Sequence, residues 1–409
     1  MKKLLVIANP YPPMASAGTT RVVRFLRHLP GEGWEPSVLT ARATGPAAEP
    51  PNTRVARASV PWPKQLLGGG RRSTKVNRWV AVPDPYFAWV GPAILKGREI
   101  LKRERFDVLF SSSPRASAHL VAAVLSEHAD VPWLADYRDP WSTYQFRQYP
   151  TRAHKASHER LEAWALGRAA AVTAVNRPIV DDLVARHPWL ADRTHVLPNG
   201  FDRTEQPADV SLSEGFWIVH TGRLYGREQQ VTAFLEALAA LPADVKALFV
   251  GVDESRVRPD ADRLGLGARV RVEPLVPLPV ALGYQRAADA LLLVNGRRPE
   301  SMSSKVFEYL QAGRPVFAIS PAGSAARGLF AETGGGTCVL PDDAMAEPLA
   351  TFVAAVREGR APIADAAALE RYELGHLTAE LAGILDTLAA GPRPSAPDAD
   401  DRGTGRLPA

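Results

Sequence analysis

The sequence predicts an α/β protein with two similar domains, each built on a parallel sheet that helices cover on both faces. Short apolar runs alternate with amphipathic helical stretches along the chain, which is the pattern of strand–helix–strand units. The chain has 409 residues, of which 46% are hydrophobic, and this length is greater than that of a typical single domain. It suits two domains of about 150 to 200 residues each. The alternation restarts after a polar, proline-containing segment at 202–214, which marks the predicted domain boundary.

The predicted strands of the first half are short runs rich in aliphatic and β-branched residues. They are 3–8, 36–40, 107–110, 132–135, 171–175 and 194–197. The first run stops at Asn9, so its apolar stretch is shorter than the ~7 residues of a secretion signal and we interpret it as a strand. Residues 41–86 are rich in Pro, Gly and Arg and are predicted to form a long irregular loop.

The second half repeats the pattern. Strands are predicted at 216–220, 245–250, 269–272, 289–294 and 315–319, and helices near 227–240, 303–312 and 343–358. A closing amphipathic helix at 366–390 is long enough, at about 1.5 Å per residue, to cross back to the N-terminal domain. Residues 391–409 are predicted to be a disordered tail. The predicted domains are therefore 1–204 and 205–365.

Composition restricts the classes of partner. The chain has 49 Lys+Arg against 44 Asp+Glu, a net charge of +5, which suits phosphorylated metabolites or an anionic membrane surface better than nucleic acid. One cysteine, Cys338, excludes an intramolecular disulfide and a cysteine-rich metal site and fits a reducing cytoplasm. No apolar run approaches the ~20 residues that span a bilayer, so a membrane contact would be peripheral.

Two segments of the second half carry groups suited to a phosphorylated sugar carrier. Arg223 and Arg227 follow a predicted strand, and their guanidinium forks suit the oxygens of a diphosphate. Glu300 and Glu308 flank a serine-rich helix start, where free backbone N–H groups can bind an anion and carboxylates can bind hydroxyls. Glu308 lies off the apolar face of its helix, so packing does not explain it; a solvated surface glutamate is the alternative.

Polar residues also follow strands in the first half. Gly18 stands at a helix entrance without the G-x-G-x-x-G pattern, which argues against a nicotinamide or flavin site. His119 lies on a helix after a serine cluster, and a core histidine is the alternative. The cluster Asp136, Arg138 and Asp139 follows another strand, and a structural ion pair is the alternative there.

Together these segments resemble the retaining glycosyltransferases of family 4, which have the two-domain GT-B fold. The motifs that carry this resemblance, over nearly the whole chain, are Pro10-Tyr11-Pro12-Pro13 with Gly18, Asp136-Tyr137-Arg138-Asp139-Pro140-Trp141, Leu197-Pro198-Asn199-Gly200-Phe201-Asp202, Thr221-Gly222-Arg223-Leu224-Tyr225 and Glu300 to Glu308. The last has the E-x7-E spacing of the family, but Ser301-Met302-Ser303-Ser304-Lys305 replaces the usual Gly-Phe-Gly-Leu-Pro. The resemblance implies two Rossmann-like domains that face each other across a cleft, with the acceptor on the N-terminal domain and a nucleotide sugar on the C-terminal domain.

The resemblance also implies a role for each matching position. Glu308 would bind the nucleotide ribose, Glu300 would contact the transferred sugar, and His119 would approach that sugar. The diphosphate would be bound by Arg223, by Arg227, where the family more often has lysine, and by the backbone amides of Ser303, Ser304 and Lys305. Gly18, Arg21 and Asn199 would complete the donor side. Asp136, Arg138 and Asp139 would face the acceptor, and Arg223, Glu300 and His119 are the expected catalytic residues.

The implied reaction moves a hexose from a UDP- or GDP-sugar to an acceptor, with retained configuration and without a metal or cofactor. The acceptor would be a glycan, a lipid-linked molecule or a small natural product. Two alternatives stay open, a GT-B epimerase acting on nucleotide sugars and a noncatalytic sugar-nucleotide or glycan-binding protein. The basic segment 64–78 with Trp79, Tyr86, Phe87 and Trp89 would form either a membrane-facing patch at the inner membrane or a pocket for a soluble acceptor.

Overall fold

The computed structural model describes residues 1–14, 17–45, 49–51, 53–61, 71–145, 147–224, 228–296, 298–300 and 302–391, except for the side chains of residues 17, 71–75 and 228. These residues divide into two compact units. The first unit is formed by Met1–Pro198 together with the chain from Leu374 on, and the second by Asn199–Glu373. The predicted tail lies, from residue 392 on, outside the described residues.

The first unit contains a seven-stranded parallel sheet in the order β3-β2-β1-β4-β5-β6-β7. Its strands are β1 Lys2–Ala8, β2 Trp34–Ala41, β3 Arg54–Ala58, β4 Val108–Ser112, β5 Trp133–Tyr137, β6 Ala171–Ala174 and β7 Thr194–Val196. Its helices are α1 Ala17–His28, α2 Arg71–Val80, α3 Val90–Arg103, α4 Ala116–Ala129, α5 Arg152–Leu166 and α6 Arg177–Arg186, with 3-10 turns at Leu29–Glu32, Phe87–Trp89 and Pro188–Arg193.

The second unit contains a six-stranded parallel sheet in the order β10-β9-β8-β11-β12-β13. Its strands are β8 Phe216–Thr221, β9 Val245–Val250, β10 Val270–Glu273, β11 Ala290–Val294, β12 Val316–Ile319 and β13 Thr337–Val339. Its helices are α7 Glu228–Ala239, α8 Arg258–Arg263, α9 Leu278–Ala287, α10 Lys305–Gln311, α11 Ala325–Thr333, α12 Ala346–Arg357 and α13 Ala366–Glu370, with a 3-10 turn at Glu254–Arg256. The last helix, α14 Leu374–Ala390, belongs to the first unit.

Both sheets are buried on both faces, which explains why their strands are continuous apolar runs. Successive side chains of a strand point to opposite faces, and in β1 Leu5 and Ile7 enter one core while Leu4 and Val6 enter the other. Helix α14 contributes to the second of these cores with the buried residues Leu374, Leu377, Leu381, Ala382 and Leu385. The first unit therefore needs the end of the described chain to complete its packing.

The structure corrects three predictions. Residues 41–86 are not irregular throughout, since they contain the edge strand β3 and helix α2. Strand β13, only three residues long, was not predicted. The closing segment 366–390 is two helices instead of one, because the chain between α13 and α14 pairs with Phe201: the Phe201 amide donates to Tyr372 O at 3.1 Å and a parallel bridge joins Phe201 to Glu373.

Each sheet has a point where the strand order reverses, between β1 and β4 in the first unit and between β8 and β11 in the second. In open α/β sheets, ligands bind outside the carboxyl ends of the strands at this point, because the loops on either side of it diverge. Gly18 follows β1, the serines at 111–113 lie at the end of β4, and Arg223 and Glu300 follow β8 and β11. These positions lie beside the reversal points, whereas Asp136, Arg138 and Asp139 lie at the end of β5, one strand away.

The aromatic residues of the predicted patch divide between surface and core. Trp79 is 55% exposed, whereas Trp89 is fully buried and Tyr86 is 4% exposed, so these last two do not contribute to a surface patch. Trp79 has exposed neighbours in Val76 and Val80 of α2. Among the described residues, no helix combines the length and apolar character that a transmembrane span requires.

Candidate functional site

In the second unit, Asn295 anchors the loop that carries the two glutamates. It follows β11 directly, is fully buried, and donates from Nδ2 to Ser320 Oγ at 3.1 Å. Its Oδ1 accepts from the Ser303 amide at 3.3 Å, so that amide, predicted to bind phosphate, is engaged within the protein. Asn295 thereby fixes the loop onto the carboxyl edge of the sheet.

Helix α10 is locked to the end of β8 by Tyr309. The Tyr309 hydroxyl accepts from the Thr221 amide at 2.8 Å, and burial raises the pKa of Tyr309 to about 12. Gln285 donates to Thr221 Oγ1 at 2.9 Å on the same strand end. Val306, Phe307, Tyr309 and Leu310 are buried, whereas Glu308 is half-buried and lines a small pocket with Glu205 and Arg286. This confirms that Glu308 lies off the packed face of its helix.

Lys305 reaches across the end of β8. Its Nζ lies 3.3 Å from His220 Nε2 and 3.5 Å from the backbone oxygen of Arg223, a residue that is itself exposed. Gly222, between them, has φ +87°, a left-handed conformation that glycine adopts without strain. Two cationic side chains thus collect where β8 ends.

The other donor-side positions are less closely grouped. Glu300 is half-buried, and its Oε1 lies 3.7 Å from Arg298 Nη1. Ser304 is the N-cap residue of α10, without a side-chain cap hydrogen bond. Asn199 is the first residue of the second unit and is half-buried. Arg227 lies outside the described residues.

In the first unit, Arg21 and Asp136 form a buried ion pair. Arg21 Nη2 and Nε donate to the two Asp136 carboxylate oxygens at 2.8 and 3.0 Å, and the Ser112 and Thr173 hydroxyls donate to the same carboxylate at 2.6 and 2.9 Å. Burial opposes ionisation of Asp136, but the Arg21 guanidinium and the hydroxyl donors hold its pKa below the ordinary value. Arg21 also donates to the carbonyls of Leu197 and Pro198, at 3.0 and 2.9 Å.

The ion pair changes the interpretation of both Arg21 and Asp136. Arg21 was expected on the donor side and Asp136 on the acceptor side, but each side chain is engaged with the other inside the first unit. The pair ties β5 to the last residues of the unit before the chain leaves it. The sequence left open a structural ion pair within Asp136, Arg138 and Asp139; Asp136 does form a structural pair, but its partner is Arg21.

Arg138 and Asp139 pair with each other at the edge of the sheet. Arg138 Nη2 donates to Asp139 Oδ2 at 2.7 Å, and both side chains are partly exposed. Ser113 Oγ accepts from the Arg138 amide at 2.7 Å and the Asp139 amide at 3.2 Å, which fixes this turn against the end of β4. Gly18 packs beside them, since a Cβ atom there would lie 2.7 Å from Pro114 Cδ. Gly18 is therefore required by close packing.

His119 is buried between aromatic rings. Its imidazole stacks on Tyr137 with centroids 4.9 Å apart, and Nδ1 lies 2.7 Å from Ser111 Oγ, which accepts from Trp133 Nε1 at 2.8 Å. Burial lowers the pKa of His119 to about 4, so the ring is neutral near pH 7. The side chain lies among core residues, which agrees with the alternative prediction of a core histidine.

Sequence matches cover both units. Residues 18–205 match the family Glycosyltransferase Family 4, and residues 215–356 match the family Glycosyl transferases group 1. The chain belongs to glycosyltransferase family 4. This confirms the family that the motifs indicated and identifies the protein as a glycosyltransferase. No curated protein has a significant sequence match to this glycosyltransferase.

Solved structures similar to this glycosyltransferase establish its fold. HepE from Anabaena, in complex with UDP and glucose, is 18% identical with a TM-score of 0.68, over 95% of this chain and 100% of that chain. Sucrose-phosphate synthase from Thermosynechococcus elongatus is 16% identical with a TM-score of 0.64, over 95% and 96% of the two chains. A putative UDP-N-acetylglucosamine 2-epimerase from Listeria monocytogenes is 11% identical with a TM-score of 0.59, over 95% and 96%. The fold is GT-B, as the sequence predicted.

Several residues that organise the glycosyltransferase site were not singled out from the sequence. Asn295 and Tyr309 fix the loop and helix of the E-x7-E segment. Asp84 accepts from the Tyr86 and Ser117 amides, both at 2.8 Å, and so positions the start of α4. The sequence signals were present for two of them, since Asn295 directly follows a strand and Tyr309 directly follows the second glutamate. The sequence contains no comparable signal for Asp84, because the contact that positions α4 is with Ser117, far away in the chain.

Proposed function

We propose that this glycosyltransferase transfers a sugar from a UDP-sugar to its acceptor with retention of anomeric configuration. The observation that carries the proposal lies beside the reversal point of the second sheet, where the exposed Arg223 follows β8 and the half-buried Glu308 lies on α10, the helix that follows β11. A related fold supports the choice of nucleotide, because HepE has been solved with UDP-glucose.

In this proposal the second unit binds the donor. The Arg223 guanidinium faces the diphosphate, which gains negative charge as the glycosidic bond breaks, and a cation there stabilises that charge in the transition state. Glu308 accepts from the ribose hydroxyls, and Glu300 contacts the transferred sugar. The amides of Ser304 and Lys305, with Asn199, complete the donor contacts; Arg227 keeps the role that the family resemblance implies.

The first unit is proposed to bind the acceptor at the carboxyl edge of its sheet. Arg138 and Asp139 are partly exposed there and can donate and accept hydrogen bonds. Arg21 and Asp136 contribute by holding β5 and the end of the unit in place. His119 is a neutral core imidazole in this scheme, because it is 1% exposed and burial lowers its pKa to about 4, and it supports the strand ends instead of contacting the sugar. The exposed Val76, Trp79 and Val80 of α2 suit peripheral contact with a membrane that carries a lipid-linked acceptor.

The test is a nucleotide-release assay with UDP-, GDP-, ADP- and dTDP-sugars, each with and without candidate acceptors, in the presence of EDTA. We expect acceptor-dependent UDP release and a product whose anomeric proton coupling matches that of the donor. Glu308→Ala and Arg223→Ala should each lower kcat/KM by about 10- to 100-fold, the effect of losing one hydrogen bond to a charged group. Glu347→Ala, an exposed glutamate on α12, is the matched control.

Each contrary result has a distinct meaning. Conversion of the sugar without net nucleotide release would identify an epimerase. Nucleotide-sugar binding without any turnover would indicate a noncatalytic binding protein. Unchanged donor binding and turnover in both Glu308→Ala and Arg223→Ala would show that the donor site lies elsewhere.

A further inference from the structure

The Lys305 side chain follows a path set by the neighbouring strand. It leaves α10 and crosses the carboxyl end of β8, so that Nζ lies 3.5 Å from Arg223 O. The half-buried position of the residue keeps its aliphatic stem against the protein while its ammonium reaches the edge of the sheet. A lysine held in this way presents a fixed charge at the edge of the sheet.

Gly222 makes this path available. A Cβ atom at position 222 would lie 2.6 Å from Lys305 Cε and 2.9 Å from Nζ, closer than Cβ contacts occur in proteins. The Gly222 amide donates to Val250 O at 2.6 Å, which ties the residue to β9. Position 222 therefore favours glycine because of its φ of +87°, and a side chain there would also displace the end of Lys305.

A buried histidine fixes the head of the lysine. His220 is 1% exposed, and its Nδ1 lies 2.9 Å from Leu292 O on β11 while its Nε2 lies 3.1 Å from Gly222 O. As a neutral ring, His220 donates from Nδ1 to the Leu292 carbonyl, and this bond orients the ring with Nε2 as its acceptor nitrogen. The same Nε2 lies 3.3 Å from Lys305 Nζ, so the ammonium contacts a group that is itself immobilised between the two central strands.

The location of this charge indicates its ligand. It lies beside the point where the sheet order reverses, between β8 and β11, where α/β sheets bind ligands. Arg223 is the next residue after Gly222, so two cationic side chains adjoin one position. A pair of adjacent cations matches the two negatively charged groups of a diphosphate better than it matches a neutral sugar or a base.

We propose that the Lys305 ammonium binds the diphosphate of the donor and, with Arg223, stabilises the departing nucleoside diphosphate; this rests on the proposed function. The lysine stands where the family pattern quoted above has proline, so it adds a cation to the donor site. The proposal concerns the side chain of Lys305 and does not depend on Arg227, which is outside the described residues.

The experiment compares Lys305→Met, which keeps the stem across Gly222 and removes the charge, with Lys305→Arg, which keeps the charge. Affinities for UDP, uridine and inorganic pyrophosphate are measured by titration on the full chain. We expect Lys305→Met to raise the Kd for UDP and pyrophosphate by about 10- to 100-fold and to leave that for uridine unchanged. Lys305→Arg should recover most of the UDP affinity.

Lys246→Met is the matched control, because Lys246 lies on β9 near the opposite edge of the same sheet, where its Nζ donates to Glu214 O at 2.6 Å. It should leave all three affinities unchanged. If the wild type binds UDP and Lys305→Met binds it equally well, the role of Lys305 is wrong and the proposed function stands. Equal losses for UDP and uridine would also overturn the role, since they would indicate a structural effect. Failure of the wild type to bind UDP, GDP, ADP and dTDP would overturn both proposals.

Discussion

Replacing Arg21 with methionine tests how much the first unit depends on its buried ion pair. Asp136 is fully buried, and Arg21 supplies donors to both of its oxygens. Without Arg21, the side-chain donors that the described residues still supply to the carboxylate are the Ser112 and Thr173 hydroxyls. Breaking a buried pair by removing one partner costs about 3–5 kcal/mol, so we expect the free energy of unfolding of the first unit to fall by that amount at pH 7.

The assay is urea unfolding followed by tryptophan fluorescence. All the tryptophans except Trp217 precede residue 199, so the fluorescence signal reports mainly on the first unit. This matters because the two units of a protein can unfold in separate transitions. Arg177→Met is the control, because the Arg177–Asp181 pair is exposed on both sides and should cost less than about 1 kcal/mol.

The pH dependence separates lost charge pairing from lost packing. In the wild type the pKa of Asp136 lies below that of the unfolded chain, so its stabilisation is present above pH ~3.9 and is lost as pH falls through the folded pKa. In Arg21→Met, burial outweighs the two remaining hydroxyl donors and raises the pKa of Asp136. The destabilisation at neutral pH then disappears as the carboxyl becomes protonated. The difference between the two proteins should therefore shrink toward pH 4. A difference below about 1 kcal/mol at pH 7, or one that is constant with pH, would refute this reasoning.

Two further predictions concern other buried residues. Because the pKa of His119 is lowered to about 4, the unfolded state binds a proton at this residue at higher pH than the folded state does. The stability that His119 contributes is therefore fully present above pH ~6.5 and declines toward pH 4. Thermal unfolding of His119→Gln should lack this decline when it is compared with the wild type. An equal pH dependence in both proteins would contradict the neutral assignment. Gly18→Ala should lower kcat/KM at least tenfold, because the added Cβ would lie 2.7 Å from Pro114 Cδ and displace the start of α1. Gly31→Ala, where a Cβ meets no atom within 4 Å, should retain full activity, and full activity in both variants would contradict the packing argument.

The sequence predicted most strands because burial on both faces makes them continuous apolar runs. The two strands that were missed are both edge strands, which need not be apolar on both faces. Strand β3 contains Arg54 and Arg57 and pairs with β2, and β13 is only three residues long and pairs with β12. The break between α13 and α14 could not be read from spacing, since the pairing partner Phe201 is far away in the chain. Periodicity detects burial, but it does not detect backbone pairing with a distant residue.

The candidate site divides in the same way. Strand ends and the E-x7-E spacing singled out Arg223, Glu300 and Glu308 as candidates, because these signals are local. The partner of Arg21 was not predictable, since Asp136 lies in another strand and no periodicity links them. The sequence assigned Lys305 only through its backbone, and the course of its side chain over Gly222 depends on the position of β8.

The pairing of Phe201 with the segment before Glu373 has a consequence for the connectivity of the protein. The chain enters the second unit after Pro198 and leaves it before Leu374, and the residues just inside these two crossings are bonded to each other. In chain order the second unit is inserted into the first, between Pro198 and Leu374, and the two ends of the insertion are adjacent. Proteolytic cleavage at one crossing would leave the second unit covalently attached to only one segment of the first, either Met1–Pro198 or the chain from Leu374 on, while noncovalent packing holds those two segments together. The two units should therefore separate under native conditions only after both connections are cut.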